Sequence, residues 1–156
     1  MLLLNRSEKL IRAIHQYQRH SARRSPVSII LKKIASLRVD FWTVICGCDI
    51  HRNAQVHRST RFPHPSGVVI HRETVIEEGC LIMQQVTLGQ TAENGAPTLE
   101  KGVYVGSGAK VLGKIRIGAN ARIGANAVVL KDVPPGATAV GVPARIIAID
   151  DTDAQA

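Results

Sequence analysis

Six histidines and three cysteines are the residues of this 156-residue chain that could do chemistry near neutral pH. An imidazole titrates close to pH 7 and serves as a proton acceptor or a metal ligand. His64 stands between two prolines within RFPHPSGVVI, a stretch expected to hold it in a fixed, special geometry. His51 and His71 occupy the same slot of a repeat set out below, and His57 the same slot on a neighbouring face. Stacked imidazoles of this kind could hold a metal between subunits, or simply face solvent. His15 and His20 read as surface residues of a helix. Cys46, Cys48 and Cys80 are odd in number and lack zinc spacing, which suits reduced thiols in a cytoplasmic protein.

These residues need a frame, and the chain after Cys48 supplies one. Ile50, Val56 and Phe62 lie six apart, as do Ile70, Ile76, Ile82 and Leu88, and then Leu99, Val105, Val111, Ile117, Ile123 and Val129. Thirteen hexads fit, most with a small or branched residue four places on, such as Ala54, Thr74, Cys80, Ala109 and Ala127. A six-residue aliphatic period with Gly and Asn at the corners marks a parallel β-helix of hexapeptides. Amphipathic helices drift at 3.6 residues, and ordinary strands do not hold a phase of six. Three hexads make a triangular coil, with each large aliphatic stacked inward on the one a coil below. A core built this way needs few aromatics, and only 3% of the residues are aromatic against 45% hydrophobic.

The phase slips twice, by two residues within RFPHPSGVVI and by five within LGQTAENGAPTL. Insertions in a solenoid become bulges or loops on one face, where sites are usually built. With a coil of eighteen residues plus the slip of two, His64 falls beneath Gln84. Gln84 and Gln85 are therefore expected to line a substrate pocket beside it. After Val133 the hexads end at Pro134-Pro135-Gly136, and an extended tail rich in small residues follows.

Residues 5–46 read as two helices broken at Ser25-Pro26, Pro26 suiting a first helical turn. Leu10, Ile11, Ile14 and Tyr17 form the apolar face of the first, and Ile30, Ile34, Leu37 and Phe41 that of the second. Both faces are expected to pack on the rest of the protein, a weak contact of these basic helices with a membrane surface being the second reading. Residues 1–48 are thus a helical segment, 49–149 the β-helix with its tail, and 150–156 an expected disordered terminus. MLLL runs at once into Asn5 and Arg6, so no secretory signal forms, and charges interrupt the most apolar stretch, so no transmembrane helix is expected. A net charge of +8 favours anionic partners, whether cofactor phosphates, an acidic glycan, nucleic acid or a membrane, without choosing among them. Nothing else in the chain favours nucleic acid.

The segments CDIHRNAQV, HPSGVVI, VTLG, VGSGAKVLGKIRIG and VVLKDVPPGATAVGVPARII, in this order, resemble the hexapeptide-repeat acyltransferases, serine acetyltransferase type. The resemblance covers about Asp49 to Ile149. It implies a left-handed parallel β-helix, a homotrimer, and acetyl-CoA lying in the groove between neighbouring prisms. In that family a His–Asp pair acts as base, and the Asp of its DIH and the His fifteen residues later match Asp49 and His64. An imidazole that takes the proton of an attacking hydroxyl is worth about 100- to 10,000-fold, and a carboxylate behind it fixes the tautomer. Backbone N–H groups near the loop starting at Gly89 are candidates for the oxyanion. The wider superfamily places Gly106, Ser107, Gly124, Ala125, Leu130, Lys131 and Arg145 along the acetyl-CoA groove. The two glycines would admit the pantetheine arm, and Lys131 and Arg145 would meet the phosphates. No metal is expected.

Three departures set the acceptor. Serine acetyltransferases carry an Asp just before the catalytic His, expected to hold the serine ammonium group, where this chain has Pro63. Their Arg-His pair in the central loop is replaced by Gly95-Ala96, and the loop is shorter. The N-terminal helical region is also short, which argues against a dimer of trimers. With the amino-acid contacts largely missing, the chain resembles the short relatives of this family that O-acetylate sugars in polysaccharide biosynthesis. The expectation is an O-acetyltransferase acting on a sugar or polysaccharide hydroxyl, with L-serine as the alternative acceptor. A zinc hydratase of the carbonic-anhydrase type would draw on His51, His57 and His71, but leaves the acyltransferase-like tail without purpose. A non-catalytic scaffold would leave the Asp49–His64 spacing a coincidence.

Overall fold

Large aliphatic side chains six residues apart can all leave water together only if the chain turns a corner between each and the next. The computed structural model, which describes residues 4–22, 25–91 and 95–149, does this over a prism of three parallel faces. Face I stacks β1 (Asp49–Ile50), β3 (Val69–Ile70), β6 (Thr87–Gly89), β9 (Lys110–Leu112) and β12 (Val128–Val129). Face II stacks β2 (Gln55–Val56), β4 (Val75–Ile76), β7 (Thr98–Leu99) and β10 (Arg116–Ile117). Face III stacks β5 (Leu81–Ile82), β8 (Tyr104–Val105), β11 (Arg122–Ile123) and β13 (Ala137–Val140), and β14 (Arg145–Ile149) closes it antiparallel. The prism is the expected left-handed β-helix.

Register makes the core a set of columns. Ile50, Ile70, Leu88, Val111 and Val129 stack inside face I. Val56, Ile76, Leu99, Ile117 and Val133 stack inside face II, and Phe62, Ile82, Val105, Ile123 and Ala139 inside face III. Each of these is buried, and the preceding residue of each strand points outward. Burying an aliphatic side chain of this size is worth about 1.5–3 kcal/mol.

Two corners need a left-handed residue at each coil. Along the edge between faces III and I this is Gly67, Gln85, Gly108 and Asn126, with φ of 69°, 58°, 73° and 55°. The second asparagine of the doubled IGAN therefore turns that corner, and the first, Asn120 (φ 57°), turns the corner between faces II and III. Asparagine tolerates this conformation better than other side chains bearing a Cβ.

Helices α1 (Leu4–Ser21) and α2 (Pro26–Cys46) pack together at the start of the prism. Ser25 caps α2, accepting from the Ser28 N–H at 3.2 Å, and Gly47 (φ 61°) ends it. Leu10, Ile11 and Ile14 of α1 are buried and Tyr17 packs against the core, as expected. The expected inward face of α2 is a correction. Ile30, Ile34, Leu37 and Phe41 are 49–70% exposed, while Ala35, Val39 and Cys46 are buried. Alpha 2 has two apolar faces, and the one with small side chains admits the closer approach. No helix among the described residues is long and apolar enough to cross a membrane. Residues 150–156 lie outside the described residues.

Ile117 sits mid-column with neighbours above and below, so truncation leaves a cavity that flanking coils cannot close. Ile117→Ala is expected to lower the unfolding free energy by about 2–5 kcal/mol in urea titration; a loss below about 1 kcal/mol would contradict the column.

Candidate active site

His64 lies where the prism changes pitch. Arg61 pairs with Leu81, a coil of twenty residues, whereas Val69 pairs with Thr87, a coil of eighteen. On the far side of the step the Gln85 N–H donates to Ser66 O at 2.9 Å, so the two extra residues fall within Pro63–Ser66, around His64. The bulge is tied beneath by the Gly67 N–H to Gly47 O (2.6 Å) and by the Asp49 N–H to Val68 O (2.7 Å). His64 and Asp49 are both exposed at this edge, with Pro65 buried between them and the core. Among the described residues the Asp49 carboxylate and the His64 ring share no hydrogen bond.

Gln84 and Gln85 form the next level of the same edge. The Gln84 side-chain oxygen is buried and has no hydrogen-bond partner among the described residues. Gln85 holds a left-handed conformation where the other three levels have Gly or Asn, and the Lys110 ammonium donates to its carbonyl at 2.8 Å. A longer side chain kept in this conformation costs about 1–2 kcal/mol, a strain found mainly where function retains it.

Above Gln85 the edge continues through Ser107, Ala125 and the turn that leads into Arg145. The Gly108 N–H donates to Gln84 O at 2.9 Å, the Asn126 N–H to Ser107 O at 2.8 Å, and the Val128 N–H to Gly141 O at 3.0 Å. Ala125 and Arg145 are exposed and Ser107 half-buried. Five levels thus run from His64 to Arg145, a rise of about 19 Å at 4.8 Å per coil.

The two glycines expected along the groove also have a structural reason to be small. A Cβ on Gly106 would come within 2.7 Å of the Ala125 nitrogen, and one on Gly124 within 2.6 Å of Val140 Cγ1. Both are required by the close approach of coil on coil. Leu130, 50% exposed, and Lys131 lie on a different edge, between faces I and II, together with the loop that follows Gly89. Within one copy they face away from His64 across face I, so a single chain does not bring all the expected groups together.

The remaining candidates are accounted for structurally. His51, His57 and His71 each accept through Nδ1 the N–H two residues on, at 3.0, 3.3 and 3.3 Å, and so brace their corners. Burial, followed by Arg72, holds His51 below its usual pKa. Among the described residues no three His, Cys, Asp or Glu side chains gather as a metal site. All three cysteines are buried and unpaired. Burial, then the neighbouring Cys46, pushes the Cys48 thiol up to about 12, and burial pushes Cys80 up to about 11, so neither is a nucleophile near neutrality.

Known proteins with this pattern point one way. Residues 96–131 match the family model described as bacterial transferase hexapeptide (six repeats). Over 108 residues the chain is 46% identical to the serine acetyltransferase of Escherichia coli (strain K12), covering 67% of this chain and 40% of that protein. A solved serine acetyltransferase in complex with CoA matches with a TM-score of 0.71 at 40% identity, over 86% of this chain and 55% of that one. The Neisseria gonorrhoeae serine acetyltransferase in complex with serine matches at 0.74 and 36% identity, over 87% of this chain and 54% of that one. The chain spans about half the length, or less, of these relatives.

The carbohydrate acceptor expected above is corrected by these relatives, which are serine acetyltransferases, one of them holding serine. The departures that suggested a sugar lie in a bulge and a loop, which vary without disturbing the prism. A missing side chain at Pro63 or Ala96 removes one contact and does not supply a glycan site.

If Gln85 is held by function and not by the fold, a residue that tolerates the left-handed conformation should relax the corner. Gln85→Asn is expected to raise the unfolding free energy by up to about 1 kcal/mol, read from the urea midpoint. A destabilised Gln85→Asn would show that the native side chain is a packing element.

Proposed function

We propose that this chain, a hexapeptide-repeat β-helix of the serine acetyltransferase type, transfers the acetyl group of acetyl-CoA to the hydroxyl of L-serine. The observation that carries the reading is the edge between faces III and I. It places an exposed imidazole at one end and an exposed guanidinium at the other, with the strained Gln85 beside the imidazole. A long thioester laid along this edge has its acetyl end at His64 and its phosphates towards Arg145, where bidentate contacts favour them.

In this reading His64 takes the serine hydroxyl proton as the oxygen attacks the thioester carbonyl, and returns it to the departing CoA thiolate. Asp49 is the positioning residue that fixes the imidazole tautomer and stabilises its cation. Both chains of atoms balance: the C–S bond breaks, the C–O bond forms, and one proton passes from hydroxyl to sulfur through the ring. Gln84 and Gln85 line the acceptor pocket, on the level above His64.

Lys131 and the loop after Gly89 join this site from a neighbouring copy. A homotrimer, in which the I–II edge of each prism lies along the III–I edge of the next, repeats the complete site three times. It would also cover an edge that a single copy leaves open, with His64, Ala125 and Arg145 exposed. The cytoplasm, where acetyl-CoA is made and buried thiols stay reduced, is the proposed compartment.

Thiol release from acetyl-CoA in the presence of L-serine tests the reading. Wild type is expected to turn over, and His64→Ala to lose about 100- to 10,000-fold in kcat while still binding CoA. Wild type that binds acetyl-CoA but ignores L-serine would overturn the acceptor; unimpaired His64→Ala would overturn the base.

A further inference from the structure

A separate cleft of about 620 Å³ lies between α1 and the corner at Arg58–Thr60, on the edge between faces II and III. Four guanidinium groups line it, Arg12 and Arg19 from the helix and Arg58 and Arg61 from the prism, against the single carboxylate of Glu8. Among the described residues Glu8 pairs with Arg12, at 3.6 Å, and both side chains are exposed. So much like charge in one cleft raises its potential and favours an anion there.

One of the four is held in place by a histidine that the proposed reaction does not use. His15 Nε2 bonds to the Val56 carbonyl at 2.7 Å and so carries the ring proton. Its Nδ1 then accepts from Arg58 Nε at 3.1 Å. With Nε engaged, the two terminal nitrogens of Arg58 have no partner among the described residues, and the fork is left to face the cleft. The Arg58 fork, in a lining of four guanidinium groups and one carboxylate, points to an anionic ligand as its missing partner.

We propose that this cleft binds a small, multiply charged oxyanion of the diphosphate class, with Arg58 as its central fork and Arg19 and Arg61 closing on it from either side. The volume falls within the range of small-molecule sites and exceeds what a lone phosphate fills, so an organic diphosphate fits. The lining ends at Phe62, two residues before His64, and lies on a different edge from the one proposed for acetyl-CoA.

Isothermal titration of the full chain with sodium pyrophosphate at low ionic strength tests this. Saturable binding at one site per chain is expected, weakened about tenfold or more in Arg58→Gln and in Arg19→Gln. Arg19→Gln lies on the exposed helix surface and keeps the test valid if Arg58→Gln fails to fold. With CoA present at saturating concentration to occupy the coenzyme edge, the same binding is expected to persist, and Lys33→Gln, an exposed charge on α2 outside the cleft lining, is expected to bind pyrophosphate as wild type does. Absent binding overturns the proposal. So does binding abolished by saturating CoA, which would put the anion in the coenzyme groove, or an equal loss in all variants, which would reduce the effect to net surface charge.

Discussion

An inward aliphatic at every sixth residue is the constraint on which the other features of this protein depend. Once Ile50 stacks under Ile70, and Ile70 under Leu88, the register of face I is settled, and with it that of every corner. Short strands of two or three residues would be worth little alone. They persist because each inner strand is hydrogen-bonded on both sides and every strand seals a segment of one continuous apolar column. The demand extends to the glycines: Gly106 and Gly124 are small because the next coil lies directly against them. Outward residues are free of this demand, and chemistry can be written there without disturbing the fold.

The proposed chemistry lies on the edge where the repeat is broken. Two extra residues around His64 lift the chain off the prism, while hydrogen bonds from Gly67 and Asp49 hold the bulge at its base. Gln85 sits directly above in a conformation that the rest of the edge assigns to Gly or Asn. The other insertion leaves from the edge between faces I and II, on the side of Lys131. A prism offers these two edges to different neighbours, so the proposed site, which draws on both, calls for more than one copy.

Much of this was legible in the sequence because a six-residue period admits few structures. The thirteen inward residues, both slips, the Ser25-Pro26 break and the left-handed corners of IGAN are each local patterns with one geometric meaning. The face that α2 buries was not legible. Ile30, Ile34, Leu37 and Phe41 form a better apolar stripe than Ala35, Val39 and Cys46, but closeness of packing decided for the smaller side chains. The tight coil-on-coil contact at Gly106 and Gly124 was also hidden, since a glycine that admits a ligand and one that admits a neighbouring coil look alike in sequence. The acceptor was misread for a related reason: Pro63 and Gly95-Ala96 are absences, and an absent contact does not name its replacement. The cleft lined by Arg58 and Thr60 depends on a helix and a corner more than forty residues apart, joined through His15, and no local pattern announces it.

Subunit mixing tests most directly the claim that the His64 edge of one prism is completed by the Lys131 edge of the next. His64→Ala and Lys131→Glu would be purified separately, unfolded together and refolded as a mixture, and serine-dependent thiol release compared with that of each parent refolded alone. If the site is shared between copies, hybrid assemblies contain some sites with both native groups, and the mixture exceeds the mean of its parents several-fold. A mixture no more active than that mean would contradict the account, because each chain would then hold a complete site of its own.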